Sequence, residues 1–291
     1  MTGHYFSWID ALGRRTDFIE PTYVLTDTWN VSDTPVENQT SQSPYLDGLD
    51  LLDTIYSPKP MSLQFCVKAS TKLDIRVLQR ALLATFSPRL GQGWLYWTQE
   101  DGTVYRIQCT ADSPGCPVFG TKKERGETWH VITLNLIAYD PFWYSGEPHL
   151  EFLGSVGASM FPFGFPFSVR PLTYQKSYTN LGDVDTPVIL TVYGNVTNPT
   201  ITNLSTGELI KINNVVASGE LFVVDTLPRK ISYVKYSTGG VASNGFQYRD
   251  SSSVPWMMKP GENSIAFTCT TSGSDAKCSI QWSDKFTGVG A

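Results

Sequence analysis

The chain has 291 residues, of which 41% are hydrophobic and 13% aromatic, so it is long enough for one large domain or two ordinary ones and its composition excludes a disordered protein. Its formal net charge of −5 arises entirely in residues 1–149, which carry 12 basic and 17 acidic side chains, and residues 16–58 contain eight acids without a Lys or Arg. A phosphate backbone would be repelled there and no basic stripe compensates elsewhere, so direct nucleic-acid binding is not expected.

The first ~58 residues are predicted to be mostly irregular, because prolines interrupt short apolar pieces such as Tyr23 to Leu25. These prolines are Pro21, Pro35, Pro44, Pro58 and Pro60. The acidic residues of this segment indicate either a solvated loop region or a charge-matched contact to a basic neighbour. Residues 61–68 then alternate as a strand, with Met61, Leu63, Phe65 and Val67 on one face.

A helix is predicted directly after this strand. Thr71 followed by Asp74 forms a capping-box pattern, and Pro88 ends the segment. An apolar stripe at helical spacing lies between them, made of Ile75, Leu78, Leu82 and Phe86. Such a stripe serves either core packing or a subunit contact.

Three further strands complete the N-terminal half. Residues 94–98 and 103–109 flank a Glu-Asp-Gly turn and predict a hairpin. Residues 129–139 form a long strand that closes on Asp140-Pro141-Phe142-Trp143, and its apolar face holds Ile132, Leu134, Leu136 and Ala138. The half is therefore predicted to be a β-dominated α+β domain with one helix.

Between the halves, residues 161–167 read Phe-Pro-Phe-Gly-Phe-Pro-Phe. Proline blocks regular strand pairing and favours extended structure. We expect a connector whose rings pack on one or both domains, or an exposed docking strand for a neighbouring subunit.

The last third contains several β-rich runs in a fixed order, each closed by Gly, Pro, Asn or Asp. They are Asn180 to Gly194 (NLGDVDTPVILTVYG), Asn198 to Ile212 (NPTITNLSTGELIKI), Gly219 to Ile231 (GELFVVDTLPRKI) and Trp256 to Phe267 (WMMKPGENSIAF). This pattern predicts antiparallel strands joined by tight turns. In the first run Val188, Leu190 and Val192 alternate with Ile189, Thr191 and Tyr193.

The order and spacing of these runs resemble the C-terminal domain of siphophage distal tail proteins. The N-terminal half has the order strand, helix, hairpin and long strand, with DPFW after the long strand. This order is similar to the N-terminal half of proteins in the same family. The resemblance implies a mainly β protein: an N-terminal ring-forming domain (1–153), a Phe/Pro-rich connector (154–178) and a galectin-like antiparallel β-sandwich (179–291).

The same resemblance implies a structural function in the virion, after assembly in the host cytoplasm. A homo-hexameric ring at the end of the phage tail would join the tail tube protein to the tail-tip or baseplate hub and the receptor-binding proteins. The acidic excess of the N-terminal half would fit a channel lining that does not hold DNA. A lumen lined by lysines and arginines would contradict that hypothesis.

No sequence pattern points to catalysis, and we expect neither enzyme activity nor a cofactor. The chain has three histidines, His4, His130 and His149, and we interpret His130 as a hydrogen-bonded core residue. Asp225 and Asp250 are conceivable as a glycosidase pair. Their strand-end and turn positions favour structural roles, where Asp accepts backbone hydrogen bonds.

A carbohydrate-binding protein that recognises host surface glycans is the alternative function. Aromatic side chains of the sandwich would present rings to a sugar. The candidates are Tyr193, Phe246, Tyr248, Trp256 and Trp282. The competing interpretation is that these rings fill the core, and the alternation around Trp282 favours it.

The five cysteines are an odd number for a disulfide scaffold and lack the spacing of a zinc site, so we expect thiols that are free or optionally oxidised. Cys109 is close in sequence to Cys116, and Cys269 to Cys278. A simple hairpin around residues 272–275 would place the second pair directly opposite each other. No apolar run reaches the ~18–20 residues that span a bilayer, so membrane insertion is not expected.

Overall fold

The structure, a computed structural model, describes residues 4–43, 45, 47–113, 115–154, 172–272 and 276–290. The chain forms two compact units, Met1–Gly146 with Phe286–Ala291, and Glu147–Lys285. The predicted mainly β class is confirmed, since the described part of the chain contains one α-helix and 25 strands. No helix among the described residues is both long and apolar enough to span a membrane.

The first unit contains eleven strands and α1. They are β1 (Tyr5–Ile9), β2 (Arg15–Phe18), β3 (Tyr23–Trp29), β4 (Val36–Ser41), β5 (Asp50–Tyr56), β6 (Lys59–Lys68), α1 (Lys72–Thr85), β7 (Gly93–Thr98), β8 (Val104–Ala111), β9 (Val118–Phe119), β10 (Trp129–Ala138) and β11 (Trp143–Ser145). Short 3₁₀ turns occur at Pro88–Leu90 and Lys122–Glu124. The central sheet has the order β2-β1-β7-β8-β10-β6-β3, while β4 and β5 pair only with each other among the described strands.

The core of this unit follows from strict alternation in β6 and β10. The two strands pair antiparallel from Trp129 opposite Lys68 to Ala138 opposite Lys59. Every second residue of each strand is buried, and the predicted apolar faces are confirmed. Side chains of period two point to one face of a sheet, so this pairing places both apolar rows on the same side.

The helix α1 begins and ends as its sequence predicts. The Thr71 hydroxyl accepts from the backbone N–H of Asp74, whose carboxylate accepts from the backbone N–H of Thr71. Ile75, Leu82 and Phe86 are buried in the core and Leu78 packs against it. The stripe therefore serves core packing, the first of the two predicted roles.

The prediction that the first ~58 residues are mostly irregular is wrong. Five strands, β1 to β5, lie in this segment. Pro21, Pro35 and Pro58 fall in the connections between strands, where a missing N–H removes no ladder hydrogen bond. Pro60 lies inside β6, opposite Ile137. The prolines at these connections therefore separate one strand from the next and do not prevent strand formation.

The second unit consists of short antiparallel strands. They are β12 (His149–Gly154), β13 (Leu172–Asn180), β14 (Ile189–Tyr193), β15 (Val196–Thr197), β16 (Thr200–Asn203), β17 (Glu208–Lys211), β18 (Val215–Val216), β19 (Leu221–Asp225), β20 (Ser232–Tyr236), β21 (Ala242–Asn244), β22 (Gly261–Cys269), β23 (Thr271–Ser272) and β24 (Lys277–Trp282). A 3₁₀ turn covers Phe246–Tyr248. The last strand, β25 (Lys285–Phe286), lies where the chain leaves this unit.

Two main sheets of this unit share one core. Their orders are β12-β24-β14-β19-β20-β21 and β13-β22-β16-β17. Val188, Leu190 and Val192 are fully buried in the core together with Phe267 and Ile280. This is the arrangement of a β-sandwich, in which alternating inward residues of two sheets fill the space between them.

Strand pairing assigns three segments differently from the sequence-based domain boundaries. Residues 172–178 of the predicted connector lie in β13, which pairs with β22 in the second unit. The strand β12 pairs with β24 over its whole length and belongs to the second unit, whereas the sequence places residues up to 153 in the first domain. Phe286–Ala291 belongs to the first unit, where the Phe286 ring contacts Tyr105 edge-on. Residues 161–167 lie outside the described residues, so both predicted roles of that phenylalanine-rich segment stay predictions.

The prediction that a hairpin places Cys269 opposite Cys278 is wrong. Cys269 ends β22 and pairs with Leu172, whereas Cys278 lies in β24 of the other sheet, opposite Val192 and Leu153. The chain crosses between sheets here, which a run of turn residues does not reveal. Cys278 is a buried free thiol, and burial raises its pKa to about 12.

Cys109 and Cys116 are also free thiols, and Cys109 is fully buried in the core. Burial raises the pKa of Cys116 to about 12 and shifts that of Cys109 further upward, with a contribution from Cys116. A thiol with a raised pKa is a poor nucleophile, because the thiolate is the reactive form.

Candidate functional site

The hairpin formed by β4 and β5 is the most exposed element of the first unit. All six residues of β4 and all seven of β5 are exposed. The strands pair from Val36 opposite Tyr56 to Ser41 opposite Asp50, with a register shift after Gln39. An isolated two-stranded hairpin is marginally stable in water, so this one is expected to gain order from a partner.

The side chains of this hairpin are apolar and acidic. Leu51 and Leu52 are 62% and 68% exposed, and Val36 and Ile55 are exposed as well. Glu37, Asp50 and Asp53 add three carboxylates, and no basic residue occurs between residues 16 and 58. At the base the ring of Tyr56 packs edge-on against Phe142, with centroids 5.0 Å apart. Large apolar side chains are normally covered, so this surface has the character of an interaction surface without its partner.

A second uncovered surface lies on α1, opposite its buried face. We call it the outer face of α1, and it consists of Leu73, Arg76, Val77, Arg80 and Ala84, all exposed. Leu73 and Val77 are 68% and 61% exposed, whereas the solvent face of a helix is usually polar. Among the described residues, neither arginine lies within 4.0 Å of a carboxylate.

A cleft of about 840 Å³ opens beside β1 and β3 of the first unit. The rings of Phe6, Phe18 and Phe65 form its floor and are themselves buried core residues. His4 and Glu20 lie among its lining residues. The cleft is therefore an apolar depression with polar side chains at its margin.

The two aspartates conceived as a glycosidase pair are engaged in turns. The Asp225 carboxylate accepts the backbone N–H of Leu227 at 2.8 Å. The Asp250 carboxylate accepts from the hydroxyl and backbone N–H of Ser252, and from Asn213 and Lys211. These hydrogen bonds, led by that of the Ser252 hydroxyl, hold the pKa of Asp250 well below its ordinary value. Both side chains have the structural roles that their positions predict.

His130 and His149 each have polar partners within their own unit. His130 is buried, its Nδ1 contacts the Gln79 amide and its Nε2 lies 3.2 Å from the Gly120 carbonyl oxygen, which confirms a hydrogen-bonded core residue. His149 stacks on Trp282 and its Nε2 lies 2.8 Å from the buried Asp284 carboxylate. Asp284 also accepts from the backbone N–H of Leu181 and the indole N–H of Trp282, an arrangement that fixes the end of β24.

The rings considered for sugar stacking divide into two groups. Trp256 and Trp282 are buried in the core of the second unit, so they cannot present a face to a glycan. Tyr193 and Tyr248 are partly buried, and Phe246 is exposed. Tyr193 lies beside Phe152, and the Lys277 ammonium is 4.9 Å and 5.5 Å from the two ring centroids. The core interpretation is thus confirmed for both tryptophans.

Sequence reasoning missed the two exposed surfaces of the first unit. A signal for the hairpin was present, because Leu51, Leu52 and Ile55 are embedded in a segment of acids and turn residues. On α1, Leu73 and Val77 lie outside the apolar stripe, so the helical period that identifies the stripe does not mark them. In the described part of the chain, no three or more His, Cys, Asp or Glu side chains are grouped to hold a metal ion.

Two family models match this chain in succession. The phage tail protein RIFT-related domain matches residues 22–117, and the siphovirus-type tail component, C-terminal domain, matches residues 181–286. Together they cover more than half of the 291 residues. No curated protein matches the chain.

Solved phage structures share the fold. The SPP1 Dit protein, described as a paradigm of the hub adsorption apparatus in phages that infect Gram-positive bacteria, is 14% identical with a TM-score of 0.66, over 97% of this chain and 99% of that one. Chains of the phage p2 baseplate in its activated conformation, with calcium and with strontium, are 11% identical with TM-scores of 0.59 and 0.58, each over 98% of this chain and 99% of theirs. At these identities the likeness shows the fold, while the two family matches show the family. This chain belongs to the siphophage distal tail proteins, which are structural components of the phage tail in the virion.

Proposed function

We propose that this protein forms a hexameric ring that joins the tail tube to the tail-tip or baseplate proteins of the phage. The observation that carries the proposal is the succession of the two tail-protein matches in one chain whose fold follows a hub protein over nearly its full length. The related structures are described as a hub of an adsorption apparatus and as parts of a baseplate. The tail tube protein, the tail-tip proteins and the receptor-binding proteins are the proposed partners.

The uncovered apolar surfaces of the first unit support self-association. Leu51, Leu52, Leu73 and Val77 are all more than half exposed. Exposed apolar side chains of this size are characteristic of interaction sites. In a ring each copy uses the same contacts, so a weak interface is formed six times and the assembly gains from all of them together.

The proposed function is structural and requires no cofactor. Asp225 and Asp250 are held in turns by hydrogen bonds, and burial raises the pKa values of Cys109, Cys116 and Cys278. We propose that part of the acidic excess of the first unit lines a channel through which DNA passes without being held. Like charges on wall and nucleic acid repel, which would favour passage over binding.

The mass of the purified protein in solution, measured by light scattering, tests this proposal. We expect rings of six subunits, single or stacked in pairs, which negative-stain images would show directly. A strict monomer that also fails to assemble when mixed with the tail-tip protein would contradict the ring. Strong binding of glycans by a monomer would instead favour the carbohydrate-binding alternative.

A further inference from the structure

We propose that the hairpin β4–β5 of one copy of this chain binds the outer face of α1 in the next copy. The inference rests on the proposed ring, because it names the two surfaces whose contact would build it. Both surfaces belong to the first unit, and both are exposed within a single chain. The hairpin therefore does not cover the helix of its own chain, and each surface is available to another copy.

The two surfaces are complementary in charge. Glu37, Asp50 and Asp53 give the hairpin three carboxylates without a basic residue. The outer face of α1 carries Arg76 and Arg80. The acid of the helix, Asp74, is engaged at its N-terminus by the backbone N–H and hydroxyl of Thr71. Opposite charges across an interface steer association and suppress wrong partners.

The two surfaces also match in their apolar side chains. Leu51, Leu52 and Ile55 lie among the carboxylates of the hairpin, just as Leu73 and Val77 lie among the arginines of the helix. Each surface thus combines a few large apolar groups with charges of one sign. Burial of the apolar groups would supply affinity, and the charges would fix the register.

The dimensions of the two elements also agree. A seven-residue strand such as β5 is about 23 Å long at the usual rise of a strand. The fourteen-residue helix α1 is about 21 Å long. The hairpin can therefore lie along the helix over its whole length and cover both apolar residues and both arginines at once.

A contact between two different surfaces of identical chains is heterologous. Repeated copies of such a contact continue from chain to chain and either close into a ring or grow as an open filament. The hairpin, marginal when isolated, would become ordered by packing on a rigid helix. The pairing thus explains why both surfaces occur uncovered in one unit.

Charge reversal in the full-length protein tests the pairing. We expect Asp50→Lys with Asp53→Lys, and separately Arg76→Glu with Arg80→Glu, to raise the concentration needed for half-maximal assembly by about tenfold or more, because like charges then face each other. All four reversals in one chain should restore assembly. Glu100→Lys and Arg89→Glu, which reverse exposed charges outside both surfaces, should leave it unchanged.

Mixing the two reversed variants gives a second readout. The hairpin variant keeps a normal helix and the helix variant keeps a normal hairpin, so one normal contact remains possible between them. The second contact would join the reversed hairpin of one variant, which is now basic, to the reversed helix face of the other, which is now acidic. These two surfaces therefore again have opposite charges. The mixture should therefore assemble at concentrations where each variant alone is monomeric. Circular dichroism of each variant should match the wild type, since the changed side chains are exposed.

The outcomes separate this inference from the proposed ring. If the reversed variants form rings as readily as the wild type, the pairing is wrong and the ring stands. If the wild type forms open chains that the reversals abolish, the pairing stands and the closed ring of six is wrong. A wild type that remains monomeric up to its solubility limit, both alone and when mixed with the tail-tip protein, would overturn both.

Discussion

At the scale of single residues, Lys59 shows how the core tolerates a charged group. Its side chain is fully buried in the first unit, where Nζ donates to the Val31 carbonyl oxygen at 2.6 Å and lies 5.7 Å from the centroid of the Trp143 ring. The indole N–H of Trp143 donates to the same oxygen at 2.9 Å. Burial lowers the pKa of Lys59 to about 8, although the charge of Asp33 opposes the shift.

This lowered pKa predicts a pH dependence of stability. Between pH 8 and 10.5 the unfolded chain holds the Lys59 proton more fully than the folded chain, so this residue makes folding more favourable as pH rises. We expect Lys59→Met to remove that contribution, on the order of 2 kcal/mol across the window. Denaturant unfolding of both proteins at a series of pH values measures the difference between their free energies of unfolding. The other titrating groups are the same in both proteins, so this difference isolates the Lys59 contribution.

The exposed Lys122 provides the control for this prediction. Lys122→Met should give a stability profile parallel to that of the wild type, because this side chain is exposed and lies outside the core. Parallel pH profiles for Lys59→Met and the wild type would contradict the assignment of the lowered pKa to Lys59.

At the scale of secondary-structure elements, the first turn of α1 depends on Thr71. Its hydroxyl accepts the Asp74 backbone N–H at 3.2 Å, and the Asp74 carboxylate accepts the Thr71 backbone N–H at 3.1 Å. We expect Thr71→Ala to lower the free energy of unfolding by about 1 kcal/mol, the usual effect of losing an N-cap. Chemical denaturation monitored by fluorescence would measure it.

Ser87 is the matched control for this substitution. It occupies the N-cap of the 3₁₀ turn Pro88–Leu90 without a side-chain capping hydrogen bond. Ser87→Ala should therefore change the unfolding free energy by much less than Thr71→Ala. Equal losses for both would show that the capping box does not stabilise α1.

At the scale of the whole molecule, the charges of the proposed interface predict a salt dependence of assembly. Exposed charges are screened over about 10 Å at 0.1 M salt and over about 3 Å at 1 M. We expect added sodium chloride to raise the concentration needed for assembly, while the apolar contacts preserve part of the affinity. Sedimentation velocity at increasing ionic strength would measure this shift.

A doubly neutralised variant identifies the charges responsible. Asp53→Asn combined with Arg80→Gln removes one acid and one base without creating repulsion, so its assembly should depend less steeply on salt than that of the wild type. If the assembly of both proteins depends equally steeply on salt, the charges responsible for the salt dependence lie elsewhere on the chain.

The sequence by itself determined the elements whose signals are local. The alternation in β6 and β10, the capping box of α1 and the buried residues Val188, Leu190 and Val192 follow from periods of two and 3.6 residues, which any core-facing strand or helix must obey. The order of the turn-bounded runs in the last third was sufficient to indicate the family.

Only the tertiary structure decided which segments pair over long distances and which surfaces remain uncovered. Cys269 and Cys278 lie in different sheets and β12 joins the second unit, because pairing depends on the path of the whole chain. The exposure of Leu51 and Leu73 likewise depends on what the rest of the chain leaves uncovered. A local pattern shows that a residue is apolar, whereas the complete fold alone shows whether anything packs against it.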